Sequence, residues 1–241
     1  EIRKNPAAST LLPRQEPGIR RSCALPYQLY VSGGLTADKS AVRLSMQSAN
    51  EIFGSRTAGS PFKVYAPDNY VAAASKDSAQ KKYEAARSWD YTVTAGDTLS
   101  DEWPLENFEG PGYHLRVYGP NGFFREFQGN KSDPGLDIRC DYERSRMLKT
   151  RATGNLELKF SNVDSAKTYH VEITDNAYGN RTVTKTVAAG EISTVLNLKK
   201  SHGWYDITVT VKEIPSFSRR FAGRVETGKD SYSDPVIGRK S

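Results

Sequence analysis

The sequence predicts an all-β protein made of two tandem antiparallel β-sandwich domains related by duplication. Residues 91–97 are similar to residues 185–191, and residues 123–129 to residues 217–223, with both pairs 94 positions apart. A period this long indicates a duplicated domain rather than a short solenoid repeat. Gly and Pro recur between segments rich in Thr, Val and Tyr, and this pattern favours short strands over long helices.

Length and charge narrow the class of protein further. A chain of 241 residues suits two domains that each bury their own core. The net charge of +6 is modest, and no ladder of basic and aromatic residues is typical of nucleic-acid binding, so we expect no nucleic-acid partner. The sequence opens without an initiator Met or an apolar leader, so we expect it to be part of a longer polypeptide.

The domain boundaries follow from the repeats. We expect a linker or extended arm over 1–22 and the first sandwich over 23–142, with an insertion over 71–88. A basic linker over 143–153 then leads to the second sandwich over 154–241. The insertion, which has no counterpart in the second repeat, is rich in Ala, Lys, Gln and Glu, and predicts either a helix or a mobile surface loop.

Strands are predicted wherever apolar residues alternate between turn residues. In 113–118, for example, every second residue is apolar, as expected for a strand with one face on a core. The strands predicted for the first repeat are 27–31, 42–47, 62–65, 89–94, 113–118 and 123–127. Those predicted for the second are 156–160, 169–174, 181–187, 194–198, 205–211 and 217–221. Residues 119–122, Gly-Pro-Asn-Gly, predict a hairpin turn.

A search for catalytic and metal-binding patterns finds none. The three histidines have no metal-ligand spacing, and there is no phosphate-binding loop or nucleophile elbow. We therefore predict no catalytic residue, no metal site and no cofactor in this chain. Residues 175–180 could offer oxygens to calcium, but an Asx-type turn explains the same pattern more simply.

The repeated Phe-x-Arg-x-Phe pattern gives the clearest candidate site. On a strand, Arg125 shares a face with two Phe side chains, and so does Arg219. Either arginine could contact a lipid headgroup or the neighbouring domain, with its stem across apolar surface. Trp89 and Trp204, near predicted loops, are candidates for the same contacts or for plugging the ends of a sandwich.

The two cysteines, Cys23 and Cys140, flank the first repeat. Their spacing leaves two alternatives open, a disulfide or two free buried thiols.

Several collinear stretches resemble one family. They are residues 13–18, 59–66, 112–127, 175–178, 201–206 and 219–228. Together they are similar to the C-terminal region of the secreted bacterial phospholipases C that prefer phosphocholine lipids, which carries two copies of one domain. The resemblance implies a parent enzyme that releases phosphocholine from phosphatidylcholine or sphingomyelin, with its catalytic residues in an N-terminal phosphatase-like domain.

The functional expectation is therefore a noncatalytic accessory region. Its implied partners are the N-terminal catalytic domain of the same polypeptide and, for lipid engagement, a phospholipid membrane surface. The resemblance implies export by the twin-arginine route to the periplasm or the extracellular space. Two alternatives are a carbohydrate- or protein-binding sandwich and a free-standing hydrolase built around His114 and His202.

Overall fold

The computed structural model describes residues 18–75, 80–148 and 150–237. In chain order its strands are β1 (Arg21–Ser22), β2 (Leu29–Leu35), β3 (Ala41–Ser48), β4 (Ser60–Ala66), β5 (Tyr70–Val71), β6 (Tyr83–Glu84), β7 (Arg87–Val93), β8 (Thr98–Pro104), β9 (Gly112–Tyr118), β10 (Phe124–Asn130), β11 (Leu136–Arg144), β12 (Ala152–Asn162), β13 (Tyr169–Asp175), β14 (Val183–Val187), β15 (Gly190–Leu196), β16 (Trp204–Val211), β17 (Ile214–Arg224) and β18 (Ser231–Tyr232). Short 3-10 turns occur at Gly54–Arg56, Ala73–Ser75, Leu105–Asn107 and Lys199–Ser201. The described part is all-β and antiparallel, as predicted.

One large sheet organises the molecule. Its eight strands lie in the order β14-β13-β16-β17-β10-β9-β4-β7. A three-stranded sheet, β2-β3-β8, packs on one half of it, and another, β11-β12-β15, packs on the other half. We call β2–β10 the first unit and β11–β17 the second unit. Each unit is a two-layered sandwich, so the predicted sandwich architecture is confirmed.

Alternating side chains explain why these strands form. In β9 the apolar residues Tyr113, Leu115 and Val117 are buried, and in β16 every second residue from Tyr205 to Val211 is buried in the same way. Because each buried Val or Leu contributes roughly 1.5–3 kcal/mol, the alternation fixes which face of the strand meets the core.

The two units meet strand to strand. β10 and β17, which carry the two Phe-x-Arg-x-Phe copies, pair antiparallel, with Arg125 opposite Phe221 and Phe127 opposite Arg219. The turn before β10 has Asn121 at φ 55° and Gly122 at φ 72°, the left-handed geometry of a tight hairpin turn. The predicted hairpin is therefore present, and its strand continues the sheet from one unit into the other.

Strand β11 packs with the second unit. Every second side chain from Leu136 to Tyr142 enters the second core, and the strand pairs with β12 over most of its length. The sequence analysis included this segment in the first domain, 23–142.

In its described residues, 71–75 and 80–88, the insertion contains no α-helix, which was one of its two predicted alternatives. In its described residues, β5 pairs with β6, and a single 3-10 turn, Ala73–Ser75, lies between them. Residues 76–79 lie outside the described residues. The helix fails because Tyr70 and Val71 are buried against the core, so tertiary contacts override the local preference for helix.

The two ends of the described chain lie side by side. β1 pairs with β18, with Arg21 opposite Tyr232 and Ser22 opposite Ser231. Within the described residues, no helix is long and apolar enough to cross a membrane.

Candidate functional site

Arg125 lies at the junction of the two units, with its guanidinium fully buried. Its Nη1 donates to the carbonyl oxygens of Phe124 at 2.8 Å and Ala222 at 2.9 Å. Its Nη2 donates to the Tyr205 hydroxyl at 3.0 Å. The guanidinium carbon lies 4.1 Å from the ring centroid of Phe123. The side chain therefore starts in the first unit and is held by the second.

Arg219 repeats this arrangement in the opposite direction. It is also buried, and its Nη1 donates to the carbonyl oxygens of Gln128 at 2.7 Å and Ser218 at 2.9 Å. Its Nη2 donates to the Tyr113 hydroxyl at 2.7 Å, and its guanidinium carbon lies 4.1 Å from the Phe217 ring centroid. Each arginine thus reaches a tyrosine of the other unit.

The physical chemistry of these contacts favours a joint over a binding surface. A buried charge is tolerated only when hydrogen bonds and ring faces replace its hydration. Arg125 and Arg219 each satisfy this with carbonyl oxygens, a tyrosine hydroxyl and aromatic rings. Two planar donor groups locked across one strand pair hold the units in a single orientation.

The two arginines differ in their counter-charge. Asp133 lies 3.5 Å from Nη2 of Arg219 and accepts a hydrogen bond from the Tyr113 hydroxyl at 2.5 Å. The residue 94 positions after Asp133 is Thr227. In the described part of the chain, Arg125 forms no ion pair with a carboxylate, and its Nε has no partner. The first arginine therefore balances its charge with neutral acceptors alone.

The two tryptophans predicted as site residues lie in separate places. Trp89 is half-buried within the first unit, with its ring centroid 5.6 Å from that of Trp103 and 5.0 Å from that of Tyr70. Trp204 lies on the outer face of the large sheet and donates from Nε1 to the Tyr232 carbonyl oxygen at 3.0 Å. The structure therefore brings the two arginines together but not the two tryptophans.

A polar cluster that the sequence analysis missed lies on the outer face of β9 and β10. His114 Nε2 is 2.7 Å from Glu126 Oε1, and its Nδ1 is 3.2 Å from Asp68 Oδ2. Arg116 donates from Nε to Glu126 at 2.6 Å. The hydrogen bond from His114, followed by that from Arg116, lowers the pKa of Glu126 to about 2. Pairing of the two predicted strands places Arg116 opposite Glu126 and His114 opposite Gln128, and this pairing was the signal that could have revealed the cluster.

The histidines do not assemble a catalytic group in the described residues. His114 lies on β9, whereas His202 follows a 3-10 turn of the second unit and packs its ring 4.6 Å from that of Tyr232. His170 bonds Glu213 at the edge of the second unit. Across the ranges that the structure describes, no group of three His, Cys, Asp or Glu side chains could hold a metal.

The segment after β13 forms the predicted Asx-type turn. The carboxylate of Asp175 accepts hydrogen bonds from the backbone N–H groups of Ala177, Tyr178 and Asn180, each at 2.9 Å. Burial is the largest single effect and raises the pKa of Asp175. The hydrogen bonds together outweigh it, so the pKa of this carboxyl group lies below its ordinary value. The oxygens that could have bound calcium are used by the turn.

Both cysteines are free. Cys140 is buried, whereas Cys23 is exposed, so the prediction of two free buried thiols holds only for Cys140. Burial raises the pKa of Cys140 to about 12, against the opposing charge of Arg125. The buried thiol is therefore protonated at neutral pH and is a packing group.

The fold and the junction define a class of all-β module. Two sandwiches share one sheet through the β10–β17 pairing, and each contributes a buried arginine that bonds a tyrosine of the other. The family model "Bacterial phospholipase C, C-terminal domain" matches this chain twice, over residues 21–130 and 136–224. The chain therefore belongs to that family.

Three relatives of the chain are phospholipases C. It is 36% identical over 235 residues to the non-hemolytic phospholipase C of Burkholderia pseudomallei, which covers 96% of this chain and 30% of the relative. The non-hemolytic phospholipase C of Pseudomonas aeruginosa is 31% identical over 245 residues, covering 97% of this chain and 31% of the relative. The hemolytic phospholipase C of Pseudomonas aeruginosa is 33% identical over 242 residues, covering 94% and 30%. The chain thus spans about 30% of the length of these relatives.

Solved structures add only a distant similarity. Trypsin-activated alpha-2-macroglobulin from Escherichia coli aligns with a TM-score of 0.29 and 11% identity, covering 90% of this chain and 18% of that one.

Proposed function

We propose that this chain is the noncatalytic accessory region of a longer phospholipase C that releases phosphocholine from phosphatidylcholine or sphingomyelin. One observation carries the proposal. The chain aligns along almost its whole length with phospholipases C but accounts for only about 30% of each. The remaining length of such a polypeptide is where we expect the catalytic chemistry.

The contacts made by the polar side chains support this proposal. Glu126 is bound by His114 and Arg116, Asp175 is bound by its own turn, and Arg219 is bound across the junction. A general base or nucleophile needs a group that is free to meet a substrate and a partner that activates it. These side chains instead hold strands and turns in place.

The partner in this proposal is the N-terminal phosphatase-like catalytic region of the same polypeptide. A buried, locked junction gives a rigid body, which suits a support that shapes access to a neighbouring site. Arg125 and Arg219 enter the proposal as contacts between the two units, because both are buried. We propose a secreted protein, periplasmic or extracellular, exported by the twin-arginine route that the family resemblance implies.

Contact with a lipid surface is a second part of the proposal. The net charge of +6 favours approach to anionic surfaces, and Trp204 stands half-buried on the outer face of the large sheet. Such contact would keep the catalytic region close to its lipid substrate.

We further propose that the two units arose by duplication and that their boundary lies between Asn130 and Leu136. The repeated sequence supports this, as does the family model, which matches on either side of that interval. Strand β11, with its side chains in the second core, then belongs to the second domain rather than to the first.

The proposal is tested by deleting residues 18–237 from the longer polypeptide. Turnover is measured on a soluble phosphocholine ester and on phosphatidylcholine vesicles. We expect vesicle turnover to fall at least about tenfold while the folded catalytic region keeps its turnover of the soluble ester. Unchanged rates on both substrates would overturn the proposal.

A further inference from the structure

A slot opens in the second unit between the diverging strands of the β14–β15 hairpin. Its volume is about 220 Å³. It is lined by the buried or half-buried apolar side chains of Ile173, Val183, Leu196 and Ile207, which we call its floor. The polar residues Asp175, Tyr178, Arg181 and Asp206 also line it, and we call Tyr178 and Arg181 its rim. An apolar floor of this kind is normally covered in a folded protein, because exposed apolar surface costs free energy.

The first unit has the same hairpin with a different filling. Its β7 and β8 diverge in the same way, one joining the large sheet and the other the three-stranded sheet. Trp89 lies opposite Val64 in β4, just as Val183 lies opposite Ile173 in β13. An indole in the first unit therefore corresponds to a small Val side chain in the second.

On the other strand of the hairpin, β8 in the first unit and β15 in the second, a Trp is again replaced by a smaller side chain. Trp103 lies opposite Val42, and its ring contacts that of Trp89 edge to face at 5.6 Å. In the second unit Leu196 lies opposite Leu156. Two indoles close the space in one unit, and Val and Leu leave it open in the other.

The first unit also supplies a third ring from its long β4–β7 connection. Tyr70 is buried, with its ring centroid 5.0 Å from that of Trp89 and 4.9 Å from that of Phe108. The β13–β14 connection of the second unit spans only 176–182. Its Tyr178 instead turns its hydroxyl to Asp234, 3.2 Å away. The second unit thus lacks the ring that seals the first.

The size of the slot selects its occupant. Apolar cavities of about 150 Å³ stay dry and bind a single benzene ring. A volume of about 220 Å³ therefore matches one ring-bearing side chain better than an acyl chain of lipid length. In the first unit, aromatic rings cover the corresponding strands, since Tyr70 packs on Trp89 and Phe108.

The position of the slot indicates where that side chain comes from. Tyr178 at the rim bonds Asp234, and the neighbouring Ser233 pairs with Arg20 through its backbone N–H at 2.8 Å. The first described residues therefore lie beside the slot. An upstream region of the polypeptide would be joined to the described structure at this end.

We propose that the slot is a docking site for an aromatic side chain carried by the upstream catalytic region of the same polypeptide. The proposal rests on the proposed function, since it needs such a region to exist. The docked ring would do for the second unit what Tyr70 does for the first, and would fix the accessory region against its partner.

Thiol labelling tests the proposal directly. In a Cys23→Ser background, Val195→Cys places a thiol at the slot, at a residue that is 45% exposed. Val163→Cys is the matched control, at a residue that is 79% exposed and outside the slot. Each is reacted with a maleimide in this chain alone and in the longer polypeptide, and read by mass spectrometry of the labelled peptide. We expect the longer polypeptide to slow labelling at Val195→Cys at least about tenfold and to leave Val163→Cys unchanged.

Two results would overturn the proposal. Equal labelling of Val195→Cys in both proteins would mean that the slot stays open. Protection that appears only after phosphatidylcholine vesicles are added would assign the slot to lipid. If deletion of residues 18–237 abolishes vesicle turnover while Val195→Cys remains reactive, the proposed function stands and only the docking site fails.

A small-molecule probe checks the slot without the partner. We expect p-cresol, the tyrosine side-chain analogue, to shift the NMR methyl signals of Val183 and Leu196 in this chain. The Val183→Trp variant restores the indole that Trp89 provides in the first unit, and should abolish the p-cresol shifts at Leu196. Absence of any shift in the unsubstituted chain would overturn the proposal.

Discussion

At the scale of single residues, the two buried arginines explain how the units are joined. Arg125 and Arg219 have matching ring contacts and matching tyrosine partners, yet only Arg219 faces a carboxylate. Removing one partner of a buried ion pair leaves an uncompensated charge, whereas removing a charge held by neutral groups leaves only unpaired acceptors. The two positions should therefore differ in their sensitivity to substitution.

We expect Arg219→Met to lower the free energy of unfolding by about 3–5 kcal/mol, because it strands Asp133 in the core. Arg125→Met should cost only about 1–3 kcal/mol, since no carboxylate is left behind. Urea unfolding of both variants measures the difference. Combining Asp133→Asn with Arg219→Met should recover part of the loss. Equal costs for the two single variants would contradict the assignment of the charges.

The cluster on β9 and β10 predicts a dependence on pH. The folded-state pKa of Glu126, about 2, lies below its ordinary value of 4.5. Its contribution to stability is therefore present above about pH 4.5 and is lost as the pH falls toward 2. Between pH 5 and pH 2, the wild type should lose about 1–2 kcal/mol more than Glu126→Gln does. Parallel pH profiles of the two proteins would show that His114 and Arg116 do not hold this carboxylate.

At the scale of elements, alternation of side chains predicts most strands, and it fails to predict a strand where the sequence alternates weakly. Strand Thr98–Pro104 escaped because its sequence is mostly polar and only Trp103 is buried. Strand Leu136–Arg144 alternates clearly, but alternation alone does not state which core a strand joins, and here its side chains enter the second core. For the insertion over 71–88, composition leaves a helix and a surface loop open, because burial of Val71 depends on the core and not on local preference.

The candidate site shows the same limit. The spacing of Phe-x-Arg-x-Phe predicted that each arginine shares a face with its rings. It could not predict that Arg125 and Arg219 would cross to tyrosines of opposite units, because that depends on the pairing of β10 with β17. Likewise, the contact between His114 and Glu126 depends on strand register rather than on sequence distance.

The β4–β7 connection gives a prediction at this scale. Tyr70→Ala should lower the free energy of unfolding by about 3–5 kcal/mol, because it empties a space walled by aromatic rings. Tyr178→Ala, in the shorter connection of the second unit, should cost about 1 kcal/mol. Tyr70→Phe separates the ring from its hydroxyl and should cost about 1 kcal/mol. Thermal unfolding of the three variants ranks these costs, and similar losses for Tyr70→Ala and Tyr178→Ala would contradict the different fillings of the two hairpins.

At the scale of the whole molecule, the shared sheet makes two sandwiches into one body. The β10–β17 pairing, the two arginines and the edge-to-face contact of Tyr30 with Tyr142 all connect the units. Units linked by so many buried contacts are expected to unfold together. In the proposed function, this joined pair of sandwiches would position the neighbouring catalytic region.

Cooperativity can be measured with the natural tryptophans. Trp89 and Trp103 report on the first unit, and Trp204 reports on the second. Two variants, one that retains Trp89 and Trp103 and one that retains Trp204, each have Phe at the other tryptophan positions. Within each variant, the urea transition followed by tryptophan fluorescence should coincide with the one followed by far-UV circular dichroism, and the calorimetric and van't Hoff enthalpies of the wild type should agree. Two separate transitions would mean that the junction does not couple the units.

We propose that this chain supports phospholipase chemistry without performing it. The most direct measurement compares turnover of a soluble phosphocholine ester by this chain alone with turnover by the longer polypeptide. We predict turnover by the longer polypeptide and none above buffer by the isolated chain. Turnover by the isolated chain that is lost in His114→Ala or His202→Ala would refute this proposal and place a catalytic site within these two sandwiches.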